Sequence, residues 1–319
     1  MAPEEKAALT HCANIHLNEW DDDRHMTPFG AVLTSYTGAD KLDVIRSLID
    51  LGAKVNYNHH GSFATALSLY INISQRVEDL PIIKLLLDKG ARCGVNILRS
   101  LRPGCPIDLV EMLISRIGPD DNTPTGETML MQVAHLEADV AKLIIAGRSN
   151  YINNADTNGM TALHHCAVSK HMNSFAMMQF LLANGANIDQ MDKFNQSPLM
   201  LTIENKSSNL LINCVQLLLK RRASIKFENS QGETPFRIAA RNISTPGMLD
   251  AIKLLAGYYQ TRFSGTITMS RLSFYQIVDH VKSAQDECEA AKNDLKNAIA
   301  AFASIRAIAN QANKHESTQ

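Results

Sequence analysis

Three short stretches of this sequence carry side chains that could do chemistry. His164-His165-Cys166 places a thiol beside two imidazoles, the residue types of a thiolate nucleophile with its base or of a metal centre. Asp21-Asp22-Asp23 offers hard oxygen ligands for a cation. His59-His60 offers two more nitrogens, but adjacent histidines do not easily point at one metal. Elsewhere the chemical vocabulary is thin. The sequence has no glycine-rich phosphate loop, no Gly-x-Ser-x-Gly and no zinc-type Cys/His spacing. The six cysteines, Cys12, Cys93, Cys105, Cys166, Cys214 and Cys288, are scattered without a Cys-x-x-Cys. Cys166 and Cys214 fall at apolar helix positions, where a thiol serves as a small core group.

The elements that position these residues recur. A helix-start phrase ends in a large apolar residue at Phe29, Leu67, Leu98, Leu130, Leu163, Leu199 and Phe236, spaced by 38, 31, 32, 33, 36 and 37 residues. Before it stand Thr27-Pro28, Thr65-Ala66, Thr128-Met129, Thr161-Ala162, Ser197-Pro198 and Thr234-Pro235. A Thr or Ser hydroxyl accepts from an orphan amide of the first turn, and Pro suits the first helical position. A second phrase follows four of the starts: Ser47 to Ala53, Leu85 to Ala91, Phe180 to Ala186 and Leu217 to Ala223. Its paired leucines face the core of a second helix, and Gly52, Gly90 and Gly185 end that helix in the left-handed conformation. A short β-like stretch and a polar tip lead on to the next Thr. Leu181 and Leu182 are both expected between helices of successive repeats. Periodicity of this kind specifies a solenoid.

These phrases resemble those of the ankyrin-repeat family, Gly-x-Thr-Pro-Leu-His and Leu-Leu-x-x-Gly-Ala, over residues 20 to 257. The third copy departs, with Asn96-Ile97-Leu98 in place of Thr-Pro-Leu, and the fourth has Gly147-Arg148-Ser149 in place of Gly-Ala. The resemblance implies an all-α solenoid of about seven helix-turn-helix units with β-hairpin tips. It also implies that His164 is a structural histidine bonded to neighbouring backbone, and that Asp22 opens a solvated tip. Spacings of 36 to 38 put extra residues between the helices, as in Ser35 to Asp40 and Asn242 to Gly247. Either these loops drifted, since closure entropy rises slowly with length, or they touch a partner.

Four segments are expected. Residues 1–19 form an N-terminal capping helix followed by Trp20, residues 20–262 the solenoid, residues 263–313 a long helix or helical hairpin, and residues 314–319 a disordered tail. In the helical segment a 3-4 seam runs Phe274, Ile277, Val281, Ala284, Cys288, Ala291, Leu295, Ala298, Phe302, Ile305, Ala309 and Ala312. It either docks on the last repeats, pairs two copies of the chain or captures another partner. Its alanines bury little area, which disfavours a tight free-standing dimer.

The charges, 31 basic and 32 acidic, give a net charge of -1, without the basic footprint of nucleic-acid binding. Lys220-Arg221-Arg222 is the one tight basic cluster, and it ends a second helix where cations suit the dipole. No apolar run approaches the ~18 residues of a membrane span. The start, with Pro3, Glu4 and Glu5, is unlike a signal segment. A soluble protein with reduced thiols in a cytoplasm is expected, with no cofactor and no metal. Delivery by a non-classical secretion system, which leaves no removable signal, is compatible with this sequence.

Ankyrin proteins bind through hairpin tips and the concave face of the first helices. Residue by residue, that implies partner-binding positions at Tyr57, Asn158, Met160, Ser169, Met191, Lys193, Phe194, Gln196, Glu204, Asn205, Glu233 and Arg241. Phe194, Met191 and Tyr57 are apolar where a purely structural tip is polar. They either anchor a partner or pack against adjacent tips. The function expected is a non-catalytic protein-binding scaffold or adaptor. The divergent repeats, long loops and private helical segment are similar in style to ankyrin effectors that intracellular bacteria deliver into host cells. The alternative is an enzyme or modifying factor with its site in the C-terminal helical segment or an interface cavity. A cleft holding perturbed acid and base groups would mark it.

Overall fold

In the computed structural model the described residues are 18, 27–56, 65–118, 121–146, 151–205 and 208–263. The capping helix, the tips bearing Asp21 to Asp23, Tyr57 and His59-His60, and the helical segment with its tail lie outside them. Helices come in pairs. They are α1 (Pro28–Ser35) with α2 (Lys41–Asp50), and α3 (Ala66–Ile73) with α4 (Leu80–Asp88). A 3-10 helix (Val95–Ser100) precedes α5 (Ile107–Arg116), and α6 (Met129–Gln132) precedes α7 (Ala138–Ile145). Then come α8 (Ala162–Val168) with α9 (Ser174–Ala183), α10 (Pro198–Asn205) with α11 (Ser208–Lys220), and α12 (Pro235–Arg241) with α13 (Met248–Phe263).

First helices pack on first helices, α1 on α3, α6 on α8, α8 on α10 and α10 on α12. Second helices pack on second helices in a parallel row from α2 to α13. Each unit touches only its neighbours, as a solenoid requires. No strand forms among the described residues, so the tips are turns closed by backbone bonds.

The helix starts form where the caps stand. Thr27, Thr65, Thr128, Ser197 and Thr234 each accept from the backbone N–H three residues on. The third copy has no such cap: Gly94 precedes Val95, and the chain winds the tighter 3-10 helix instead. The large apolar residues sit in one buried column. Leu67, Leu98, Leu163 and Leu199 are 0% exposed, while Phe236 in the last unit is only partly buried.

The second helices end as expected at Gly52, Gly90 and Gly185, all with positive φ. Where the sixth copy has no glycine, Arg222 adopts φ 71° in its place. Of the paired leucines Leu181 is fully buried, whereas Leu182 is only partly so. Two adjacent helical side chains point about 100° apart, so both cannot face the same seam.

One joint recurs that the repeat phrases do not mention. The Asn18 amide donates to Gly52 O at 3.1 Å and accepts from Lys54 N at 2.7 Å. Asn56 does the same with Gly90 O and Arg92 N, and Asn153 with Gly185 O and Asn187 N. Each asparagine clamps the helix end of the next unit. Asp189 keeps half of the device, accepting from Ser224 N at 2.8 Å.

Candidate functional site: the tip face of repeats four to seven

The tips are built alike. Asp156 Oδ1 accepts the N–H groups of Asn158 and Met160 at 2.8 and 3.0 Å. Asp192 holds Phe194 and Gln196 in the same way, and Asn229 holds Gln231 and Glu233. Each turn is closed by backbone bonds, as from Asp156 N to Met160 O and from Gly159 N to Asp156 O. The turn's fourth residue is left-handed: Gly126, Gly159, Asn195 and Gly232 have φ 76°, 77°, 55° and 70°. Asparagine is the non-glycine residue that tolerates this best.

Backbone bonds then join tip to tip. Thr157 N donates to Thr125 O, Lys193 N to Asn158 O and Ser230 N to Phe194 O, each at 2.9 Å. Four consecutive tips form one continuous ladder. The ladder leaves the side chains at its crest outside the structural bonding.

The expected binding positions fall into three groups. Asn158, Lys193 and Phe194 are exposed at the tips, and Met160, Met191 and Gln196 are partly buried beside them. Phe194 is 61% exposed, so it does not fold down into the neighbouring tips. Gln196, Glu204, Glu233 and Arg241 come together in one network. Arg241 donates to both Glu233 oxygens at 3.1 and 3.0 Å and to Glu204 Oε1 at 3.0 Å, and Gln196 Nε2 donates to Glu204 Oε2 at 2.9 Å. These four side chains tie α10 to α12 across the groove. Asn205 donates within its own helix to Leu201 O, and Ser169, partly buried, follows the end of α8. Tyr57 lies outside the described residues.

Sequence reasoning missed apolar groups in the loops between paired helices. Met172 is 77% exposed and Val77 67%. Ile73, the last residue of α3 and so beside the loop rather than in it, is exposed too. The signal of Met172 and Val77 was an apolar residue inside a lengthened or polar loop.

The residues that suggested chemistry separate on folding. His164 is buried: Thr161 N donates to its Nδ1 at 3.0 Å, and its Nε2 donates to Gln196 O at 3.2 Å. This is the backbone-bonding role the resemblance implied. Burial pushes its pKa below the ordinary histidine value near 6.5, only partly offset by the bond to Gln196 and the charge of Asp192. The folded ring is therefore neutral, while the unfolded ring takes up a proton near the ordinary value. Its contribution to stability is complete above that value and is lost as pH falls towards the folded pKa. Acidification from about pH 7.5 to 5.5 is expected to destabilise the parent more than His164→Gln. Parallel pH curves in chemical denaturation would contradict this.

Cys166 is fully buried and directs its thiol at Ala134 O, 3.7 Å away. Burial pushes the Cys93 thiol up to about 12 and the Cys105 thiol up to about 11. Neither is a thiolate at neutral pH, so neither is an activated nucleophile. A surface cavity of about 880 Å³ opens between α11 and α13, lined by Lys220, Arg222, Lys253, Leu254 and Tyr258 among others. Its described lining has no carboxylate or histidine, and hence no acid–base pair. No described helix is long and apolar enough to cross a membrane.

Comparison with known proteins agrees with this geometry. A search of curated proteins returned no match. A family model for ankyrin repeats, in three copies, matches residues 100–192 and 171–263, about half of the chain and the part that holds the tip ladder. Repeats of that family are protein–protein interaction modules, and the family is typically non-catalytic. With capped helix pairs, bonded tips and a matching family model, the chain belongs to the ankyrin-repeat family.

Proposed function

We propose that this chain is a non-catalytic scaffold that grips a protein partner with the tips and concave face of repeats five to seven. The observation that carries the reading is Phe194, a large aromatic held 61% exposed at the crest of a tip whose backbone is bonded on both sides. A rigid, exposed aromatic loses little entropy on binding and is the usual kind of interface anchor. Asn158, Met160, Met191 and Lys193 surround it on the tips. Ser169 and Asn205 line the helix side, with the polar network of Gln196, Glu204, Glu233 and Arg241. Tyr57 enters the proposal as a further partner-binding residue. The partner is a protein rather than a nucleic acid, given a net charge of -1.

The place of action we infer is a cytoplasm, reached in a host cell by non-classical secretion. Divergent repeats, long inter-helix loops and a private C-terminal segment support that reading. Affinity capture from a eukaryotic lysate, with the intact chain and with Phe194→Ala as bait, identifies the partner. Phe194→Ala is then expected to weaken binding by about 2 kcal/mol or more in calorimetry with an unchanged melting curve. Equal affinity of the two chains would remove the tip face from the interface.

A further inference from the structure

The second histidine of the His-His-Cys stretch faces away from the first, into a polar cluster at the joint between repeats four and five. His165 Nε2 lies 3.0 Å from Asp156 Oδ2. Glu127, on the preceding tip, brings its carboxylate to the same place: one ligand atom from each of Glu127, Asp156 and His165 lies within 4.8 Å of the others. The site is well shielded, with side-chain exposures of 15% for Glu127, 3% for Asp156 and 17% for His165.

Asp156 divides its work. Its Oδ1 holds the turn through two backbone amides, so Oδ2 is left for His165 and whatever else enters. Glu127 already meets Arg99, whose guanidinium is 3.6 Å from Oε1 but 69% exposed. That single exposed cation is screened by solvent, and two carboxylates in one shielded site still repel.

A second observation points to a ligand. Gln132 is 95% buried, and its Oε1 has no hydrogen-bond partner, while its Nε2 sits 2.6 Å from Glu127 Oε2. A buried orphan oxygen is costly. The amide touches the cluster through Nε2; with a cation bound there, turning it about its last bond would exchange the two atoms and give the ion the oxygen in place of the bond to Glu127. At the register position shared by Gln132 and His165, repeats six and seven carry buried Leu201 and Ile238. The two polar residues therefore occur at adjoining repeats, where apolar ones also serve the fold.

We propose that Glu127, Asp156 and His165, completed by the Gln132 amide oxygen, bind one divalent transition-metal ion of the zinc or cobalt class. The imidazole nitrogen selects such an ion over calcium or magnesium, whose ligands are oxygens. Ligand distances of about 2.0–2.2 Å require the ligand atoms of Glu127, Asp156 and His165, now within 4.8 Å of one another, to draw closer around the ion. On binding, Nε2 offers its lone pair to the ion, the proton it shared with Asp156 leaves to solvent, and the neutral ring holds its single proton on Nδ1. The ion links the tip of repeat four, which has Thr123 in place of the turn aspartate, to the tip of repeat five.

Titration of the chelator-treated intact chain with zinc chloride in a calorimeter tests this, with cobalt chloride followed by its visible absorption. The expected result is saturable binding of one ion per chain and a higher melting temperature with zinc. His165→Leu copies the residue of repeat six, so it folds without metal, and Glu127→Gln keeps the shape of the carboxylate. Loss of an outer partner of a metal ligand already lowers affinity about tenfold or more, so loss of a ligand lowers it at least as far in each variant. Absence of saturable binding by the parent chain would overturn the proposal. So would parent-like affinity in either variant, which would place the ion on other histidines.

Discussion

Leu181→Ala lowers the free energy of unfolding by about 3 to 5 kcal/mol, while Leu182→Ala, one residue on, costs about 1 to 2 kcal/mol. Leu181 lies on α9 with no exposed surface, in the row where second helices pack on second helices. Removing its three outer carbons loses their transfer free energy and leaves a hole that a helix clamped on both sides closes poorly. Leu182 keeps part of its surface in water and has less to lose. Urea denaturation of the two variants against the parent checks the contrast. Equal losses would mean that the helix is rotated from the orientation described.

Gly159→Ala is expected to cost about 3 kcal/mol, against about 1 kcal/mol for Gly185→Ala. Both glycines have positive φ, 77° and 93°, so both variants carry the left-handed penalty of an L-residue. Only Gly159 carries a second cost. A methyl group there would stand 3.0 Å from Lys193 N and 3.2 Å from the Asp192 carbonyl carbon and Cα, all backbone atoms of the next tip. Backbone does not rotate away as a side chain does, so the tips must part and the bond from Lys193 N to Asn158 O weakens. Around Gly185 nothing lies within 4 Å of the added carbon. Denaturant melts giving one value for both would show that the tips are not in contact.

The solenoid was legible because its signals are local and repeated. A Thr or Ser cap, a large apolar residue two places on and a glycine after the second helix each act within one turn of chain, and seven copies supply the redundancy. Arg222 shows the limit of reading by residue type, for the backbone keeps its conformation after the glycine is gone. The clamps of Asn18, Asn56 and Asn153 went unread in the sequence. Their partners lie about one repeat ahead, at a distance no local pattern spans.

The polar cluster was hidden for the same reason, and a misleading cue covered it. His164, His165 and Cys166 are neighbours in sequence, yet on a helix they point in three directions. His164 turns to the Gln196 carbonyl, Cys166 to the core and His165 to Asp156. The residues that join His165 come from other turns and another repeat. Gln196, Glu204, Glu233 and Arg241 were expected as separate partner-binding positions, and the structure joins them in one network. Their bonding to one another depends on side-chain reach across helices and became evident only in three dimensions.

The bonded tips have a consequence for how such a molecule changes over generations. Amides and carbonyls, which every residue other than proline supplies in full, set the spacing from Thr125 to Ser230. Side chains at the crest can therefore be exchanged without renegotiating the scaffold beneath them. A lineage can retarget residues 157, 158, 193, 194, 230 and 231 one at a time, each trial costing little stability. The turn aspartates and left-handed positions stay under constraint, so specificity drifts quickly on a frame that hardly moves.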